Sequence, residues 1–530
     1  MTNSNVTIEK KSTYNMRNAI VNYYLFVMFT FFEFFLTNQY ARARTDKFIL
    51  FICLTSALVI AVIGISIAYA GEKKAQAENI VVEQKPFFKF SLTDYAFLSF
   101  LFCAVISTLI SDYKLDSLLG SAGRDNGLVL LLLYTAVYFI ISRFYYFKNY
   151  VLCAFLVFGC IISLLAILHF FYIDPIGIMN GYSHDVVVDF GTTIGNKNTI
   201  ASYMCIFLPF SIMMFVVQKN RSVLVLSAIS IAFAYCGLLV AGSNSGYIGL
   251  FAMLFFMLLV CIRKLHLLKK LMLALSVMFL SGLLLRLFSL VMDDNSKGFE
   301  QIGKALVYSN YTYILIGALV LITAILLFIP EKAQDKWPKN TLSAIVILFG
   351  CFALCVCSYM FYKYTFVDTT SDIGALSQIF RFNDRWGTHR GFMWINGVKD
   401  FFNFDFAHIL FGSGCDTFYH VFEPHFAELF TRFGNSSTDC IHSEYLNYLI
   451  TQGVLGLLSY LTIIISTIIR ALKTSRKNPL VLVFVFPVIA YCAQAIVNIY
   501  QPITTPFLII FIALSECLSR ESNSVNIISD

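Results

Sequence analysis

His442 is the residue whose type and setting most readily do chemistry. It lies in TDCIHSEYLNYLITQGVLGLLSYL (438–461), at the mouth of a long apolar run. Thr438 or Asp439 is a natural helix N-cap, which would put His442 in the first turn of the helix that follows. There the positive end of the helix dipole disfavours an imidazolium and keeps the ring neutral. A neutral imidazole can take a proton as a general base. Tyr445, three residues on, shares that helical face and is a candidate to orient the ring. Glu444 falls ~200° round the helix, which suits a carboxylate that anchors the loop. Taken alone, His442 reads somewhat more readily as a helix-end histidine hydrogen-bonded to its loop, and it is the local geometry that favours the base.

A second candidate is RFNDRWGTHRGFMWINGVKDFF (381–402), with Arg381, Arg385 and Arg390 close together. Guanidinium forks match phosphate oxygens two at a time, so the trio could grip a bulky phosphate. Each arginine read singly is equally a solvating charge or a partner for lipid phosphate. Arg390 and Trp394, four apart, share a helix face. Nearby lie a glycine-rich turn, LFGSGCDTF (410–418), and the polar tip of GTTIGNKNTIASYMCIFLPF (191–210), with Asn196 and Asn198. No carboxylate pair has D-x-D spacing and no two histidines are i,i+4, which disfavours a divalent-metal mechanism.

The elements that must position these groups are membrane helices. Of 530 residues, 58% are hydrophobic and 13% charged, and windows such as FILFICLTSALVIAVIGISIAYA (48–70) exceed a bilayer's thickness. The pattern predicts an all-α polytopic membrane protein: a single integral-membrane domain over 1–530, with about 14 transmembrane helices. These include spans near 19–36, 127–142, 198–217, 246–262 and 504–518. Lys10, Lys11 and Arg17 lead straight into the first span with no signal-peptide pattern. With both termini cytoplasmic, 23 of the 38 lysines and arginines fall inside, 14 outside and Arg286 within a span. Arg42, Arg44 and Lys47 are the misfit, being placed outside. Residues 363–444 become one long extracytoplasmic loop, predicted to carry short helices and the catalytic elements. Intramembrane ionisable groups are few, mainly Glu33, His169 and Arg286, which weighs against a coupled transporter.

RGFMW (390–394), LFGSGCDTF (410–418) and HSEYLNYLITQGVLGLLSYL (442–461) resemble, in order and spacing, the O-antigen ligase/O-antigen polymerase superfamily. LLGSAGRDNG (118–127) and GNKNTIASY (195–203) resemble motifs of its Gram-positive members. The resemblance implies a metal-independent, cofactor-free glycosyltransferase of the bacterial cell membrane, acting on its outer face. The donor would be a polyprenyl-diphosphate-linked glycan, and the acceptor a hydroxyl of a glycan, lipid or wall polymer. Membrane lipids would be the other partner, with no role for nucleic acid. Arg390 matches the arginine that holds the diphosphate, and His442 the acceptor-activating base. Direct displacement would invert the anomeric carbon.

Three departures stand out. AGSNSGYIGL (241–250) has Asn244 where the family often has arginine, which makes Arg124 a candidate replacement contact. Ser443 stands for a usual asparagine, and Lys197 for a usual proline. Arg381, Arg385, Trp394, Asn196, Asn198, Asn244, Glu444 and Tyr445 complete the expected substrate-binding set. Ligase and polymerase remain open alternatives, as do a lipid-linked glycan flippase and a non-catalytic scaffold. Cys415 and Cys440, the only cysteines of the long loop, could form a disulfide, although two unpaired thiols are the somewhat favoured outcome.

Overall fold

The computed structural model describes residues 16–75, 89–292 and 295–524. Lys10 and Lys11 lie outside them. The long helices begin with α1 (16–28), α2 (Ala43–Ala75), α3 (Leu92–Ile110), α4 (Leu128–Phe144) and α5 (Asn149–Phe170). Next come α6 (Lys197–Val217), α7 (Arg221–Val240), α8 (Asn244–Cys261), α9 (Leu265–Val291), α10 (Asn310–Phe328) and α11 (Lys339–Tyr362). After a segment of short helices that includes α12 (Trp386–Phe402), the chain ends with α13 (Glu444–Thr474), α14 (Leu482–Gln494) and α15 (Thr505–Ser524). Among the described residues the only sheet pairs Phe190–Gly191 with Gly195–Asn196.

Apolar runs make these helices, and polar caps set where they start. Ser91 and Asp94 form a capping box at α3, Asn220 caps α7 and Asn196 caps α6. α6 is apolar on all sides and accordingly buried along almost its whole length, packed by α7, α8, α9 and α14. α13 lies along α3, and α15 along α4.

Among the described residues, 11 helices are long and apolar enough to cross a membrane. The three other expected spans are helical but fall short of that standard. A turn at 29–30 breaks the first of them before the short helix Phe31–Phe34. α4 has only 17 residues. α15 carries Glu516, Arg520 and Glu521 in its second half.

Residues 363–443 are no open loop. Their short helices enclose a separate apolar cluster of Phe392, Met393, Phe401, Phe418, Phe422 and Leu429, closed by Ile441 and by Ile450 of α13. The misfit cations are all engaged. Arg42 pairs with Asp46 at 3.6 Å, Arg44 with Asp125 at 2.9 Å, and the buried Lys47 donates to the Phe35 carbonyl at 2.5 Å.

Candidate functional site

Two backbone interlocks hold His442 in place. The glycine turn at 412–414 presses against a kink in α13 at Gly453, whose φ of +69° is left-handed. A Cβ on Gly412 would meet the Thr451–Gln452 backbone at 2.3 Å, and one on Gly453 would meet Leu410 at 2.3 Å. Ser413 and Gly414 donate to the Ile450 and Thr451 carbonyls freed by the kink, at 3.0 and 3.1 Å. The second interlock is Asp416, buried, which accepts from the amides of Arg124 (2.6 Å) and Asn126 (2.9 Å). Its carboxylate sits where a Cβ of residue 123 would be, so only glycine fits there. Burial pushes the Asp416 pKa up to about 7, despite those two donors.

Ser443 is the N-cap of α13, accepting from the Leu446 amide at 3.4 Å. This corrects the expected cap at Thr438 or Asp439. His442 stands two residues before the helix, at a left-handed φ of +54°. Histidine is among the few non-glycine residues enriched there.

The imidazole borders two cavities. The first, about 770 Å³, runs from Arg385, Arg390 and Thr388 across to Asn196, Asn198 and Asn244. Lys197, Asp189 and Glu300 close its far wall, with Lys197 paired to Asp189 at 2.9 Å. Arg390 differs from that lysine. Burial lowers its pKa, and no ion pair or hydrogen bond to its guanidinium occurs among the described residues. An arginine nonetheless stays charged, so the cavity holds an unneutralised fork. The second cavity, about 460 Å³, is bordered by Tyr40, Arg44, Arg124, Asn196, Asn198 and Gln501. Its arginines are neutralised. Asp439 accepts from Arg124 Nε at 3.0 Å and Nη2 at 2.9 Å, and lies 3.5 Å from Arg44. Burial disfavours the Asp439 carboxylate, but the guanidiniums of Arg124 and Arg44 outweigh it and hold its pKa below the usual range.

His442 Nδ1 is buried and has no hydrogen-bond partner among the described residues. Burial lowers its pKa to about 3, Arg124 and Arg390 add to the fall, and Asp439 opposes it. The ring is therefore neutral at physiological pH, as expected, but the cause is enclosure and two guanidiniums. The helix dipole acts on a turn that His442 does not occupy.

Seven of the anticipated residues converge on these cavities: His442, Arg390, Arg385, Asn196, Asn198 and Asn244 on the first, and Arg124 on the second. Arg124 and Asn244 thus occupy separate chambers. Four anticipated residues lie off both. Arg381 donates to the Ser371 carbonyl. Trp394 Nε1 donates to the Ile441 carbonyl at 2.9 Å, bracing the chain just before His442. Tyr445 donates to the Cys492 carbonyl at 2.7 Å, so it does not orient the ring. Glu444 is buried and accepts from the Tyr460 hydroxyl of the same helix, α13, rather than holding the loop.

Residues missed by sequence reasoning include Arg44, Asp439 as an ion-pair hub, and Asn498, which bonds the Asn198 carbonyl at 3.1 Å and Ser202 at 3.0 Å. The clue for Arg44 was its misfit to the charge rule. Nothing marked Asn498.

Cys415 and Cys440 are both buried and unpaired. Cys415 turns towards α3, with Sγ 3.6 Å from the Ala104 carbonyl, and burial raises both thiol pKa values to about 12. Maleimide is expected to label both after denaturation without reductant. Labelling that requires reductant would establish a bridge.

Among known proteins, no family model and no curated protein matches the chain.

Proposed function

We propose that this chain is an integral-membrane glycosyltransferase of the O-antigen ligase/polymerase kind. It transfers a glycan from a polyprenyl diphosphate to an acceptor hydroxyl at the outer face of a bacterial cell membrane. One observation carries the reading: a neutral histidine borders two cavities with its Nδ1 unpartnered, and one cavity presents an arginine that meets no counter-charge among the described residues. The donor diphosphate suits the cavity of Arg385 and Arg390, where its charge meets a bidentate fork away from bulk water. The acceptor suits the second cavity, whose arginines Asp125 and Asp439 already neutralise.

His442 takes the proton of the acceptor hydroxyl as its oxygen bonds to the anomeric carbon. The bond from that carbon to the diphosphate oxygen breaks, and its electron pair leaves on the diphosphate. Arg390 stabilises the charge that grows there, so no acid is needed. A ring with a pKa near 3 is a poor base before the donor binds. Bound diphosphate offsets the Arg390 field and so raises that pKa, while burial and Arg124, the larger causes of its fall, remain.

Purified protein supplied with a polyprenyl diphosphate glycan and an acceptor is expected to release polyprenyl diphosphate and give an inverted product. Among the described residues no three His, Cys, Asp or Glu side chains are grouped to hold a metal, and transfer is expected to survive EDTA. Retained configuration, or activity lost in EDTA and restored by Mg²⁺ or Mn²⁺, would overturn this mechanism. Passage of intact donor across vesicles without transfer would favour a flippase.

A further inference from the structure

At the far end of the helical body from His442, α8, α9, α13 and α14 enclose an apolar groove of about 420 Å³. Phe256, Leu259, Leu267, Leu472 and Leu482 line it, and Arg263, Lys264 and Arg476 stand at its mouth. α8 gives the separation. Its first residue, Asn244, borders the His442 cavity, and the chain just past its last residue, Cys261, reaches the groove at Arg263. Eighteen helical residues rise ~27 Å, close to the ~30 Å of a hydrocarbon core. α13 repeats the relation, since it starts two residues after His442 and ends beside Ser475 and Arg476. The groove therefore opens at the opposite membrane–water boundary, on the side where the charge count places the cytoplasm.

No carboxylate pairs with Arg263, Lys264 or Arg476 among the described residues. Lys473 and Lys477 add like charge on either side of Arg476. A slot that is apolar within and cationic at the rim is complementary to a molecule with a hydrocarbon tail and an anionic head. A soluble phosphate would gain nothing from the leucine walls, and a zwitterionic lipid, whose phosphate carries its own ammonium, would gain less than an anionic one from three unpaired cations.

We infer that this groove is a binding site for an anionic phospholipid of the inner leaflet, with an acyl chain between α8 and α13 and the phosphate among Arg263, Lys264 and Arg476. This site is independent of the transfer chemistry and holds whatever reaction occurs at His442.

Native mass spectrometry of the full chain in mild detergent, titrated with phosphatidylglycerol or phosphatidylcholine, tests it. One phosphatidylglycerol is expected to bind at least about tenfold more tightly than phosphatidylcholine. Neutralising each cation near an anionic surface costs about fivefold. The combined Arg263→Gln, Lys264→Gln and Arg476→Gln variant is thus expected to bind it about 100-fold more weakly. Leu472→Trp, which fills the slot and keeps every cation, is expected to weaken phosphatidylglycerol as well. Equal binding of the two lipids by the wild type would overturn the site, and that comparison needs no variant to fold. Full affinity in the triple variant, or displacement of the lipid by millimolar inorganic phosphate, would overturn it too.

Discussion

His442→Asn is expected to lower glycan transfer by about 10²- to 10⁴-fold, the usual worth of a positioned general base. Asparagine suits the test because it tolerates the left-handed backbone that His442 adopts at φ +54°. It keeps a polar side chain beside both cavities and cannot accept the proton. Donor binding should survive, since Arg385 and Arg390 are untouched, so the loss should appear in kcat rather than in KM for the donor. Measured turnover with the lipid-linked donor decides the matter. A well-folded His442→Asn protein that transfers glycan at the wild-type rate would remove the base from the mechanism.

Arg390→Lys keeps the charge and is nevertheless expected to lower kcat/KM for the donor by about 10- to 100-fold, the worth of one or two charge-assisted hydrogen bonds. The reason is geometric. A guanidinium offers two parallel donors to a phosphate, and an ammonium offers a point charge on a flexible stem. Among the described residues Arg390 has no carboxylate or carbonyl partner, so its replacement strands no buried acceptor there and folding should be little affected. Arg385→Lys provides the contrast. Arg385 borders the same cavity but is exposed, where water screens its charge, and a smaller loss is expected. Equal activity of Arg390→Lys and the wild type would reduce Arg390 to a solvating charge.

Much of the helical architecture was legible because a membrane span needs only a long apolar run, and that is a local property. α6 was expected at 198–217 and runs Lys197–Val217, and α8 was expected at 246–262 and runs Asn244–Cys261. The spans that deviate do so for reasons a hydropathy window averages away. Charges in α15 are absorbed by ion pairs, with Glu516 accepting from Arg470 at 2.9 and 3.0 Å. The start of α13 was misjudged because Thr438, Asp439 and Ser443 are all good caps, and the choice among them depends on a backbone that turns left-handed at His442.

The sequence by itself determined the apolar helices, the one long polar segment and the residue types able to do chemistry, because composition and short-range spacing carry those. It also marked His442 and Arg390. Only the tertiary structure decided which polar groups share a cavity, because that depends on contacts between segments hundreds of residues apart. Arg124 and Asp439 are 315 positions apart yet form one ion pair, which cancels a charge the sequence left free. Among the described residues Arg390 finds no such partner, and this difference in pairing, invisible along the chain, leaves one arginine neutralised and the other with its charge uncompensated.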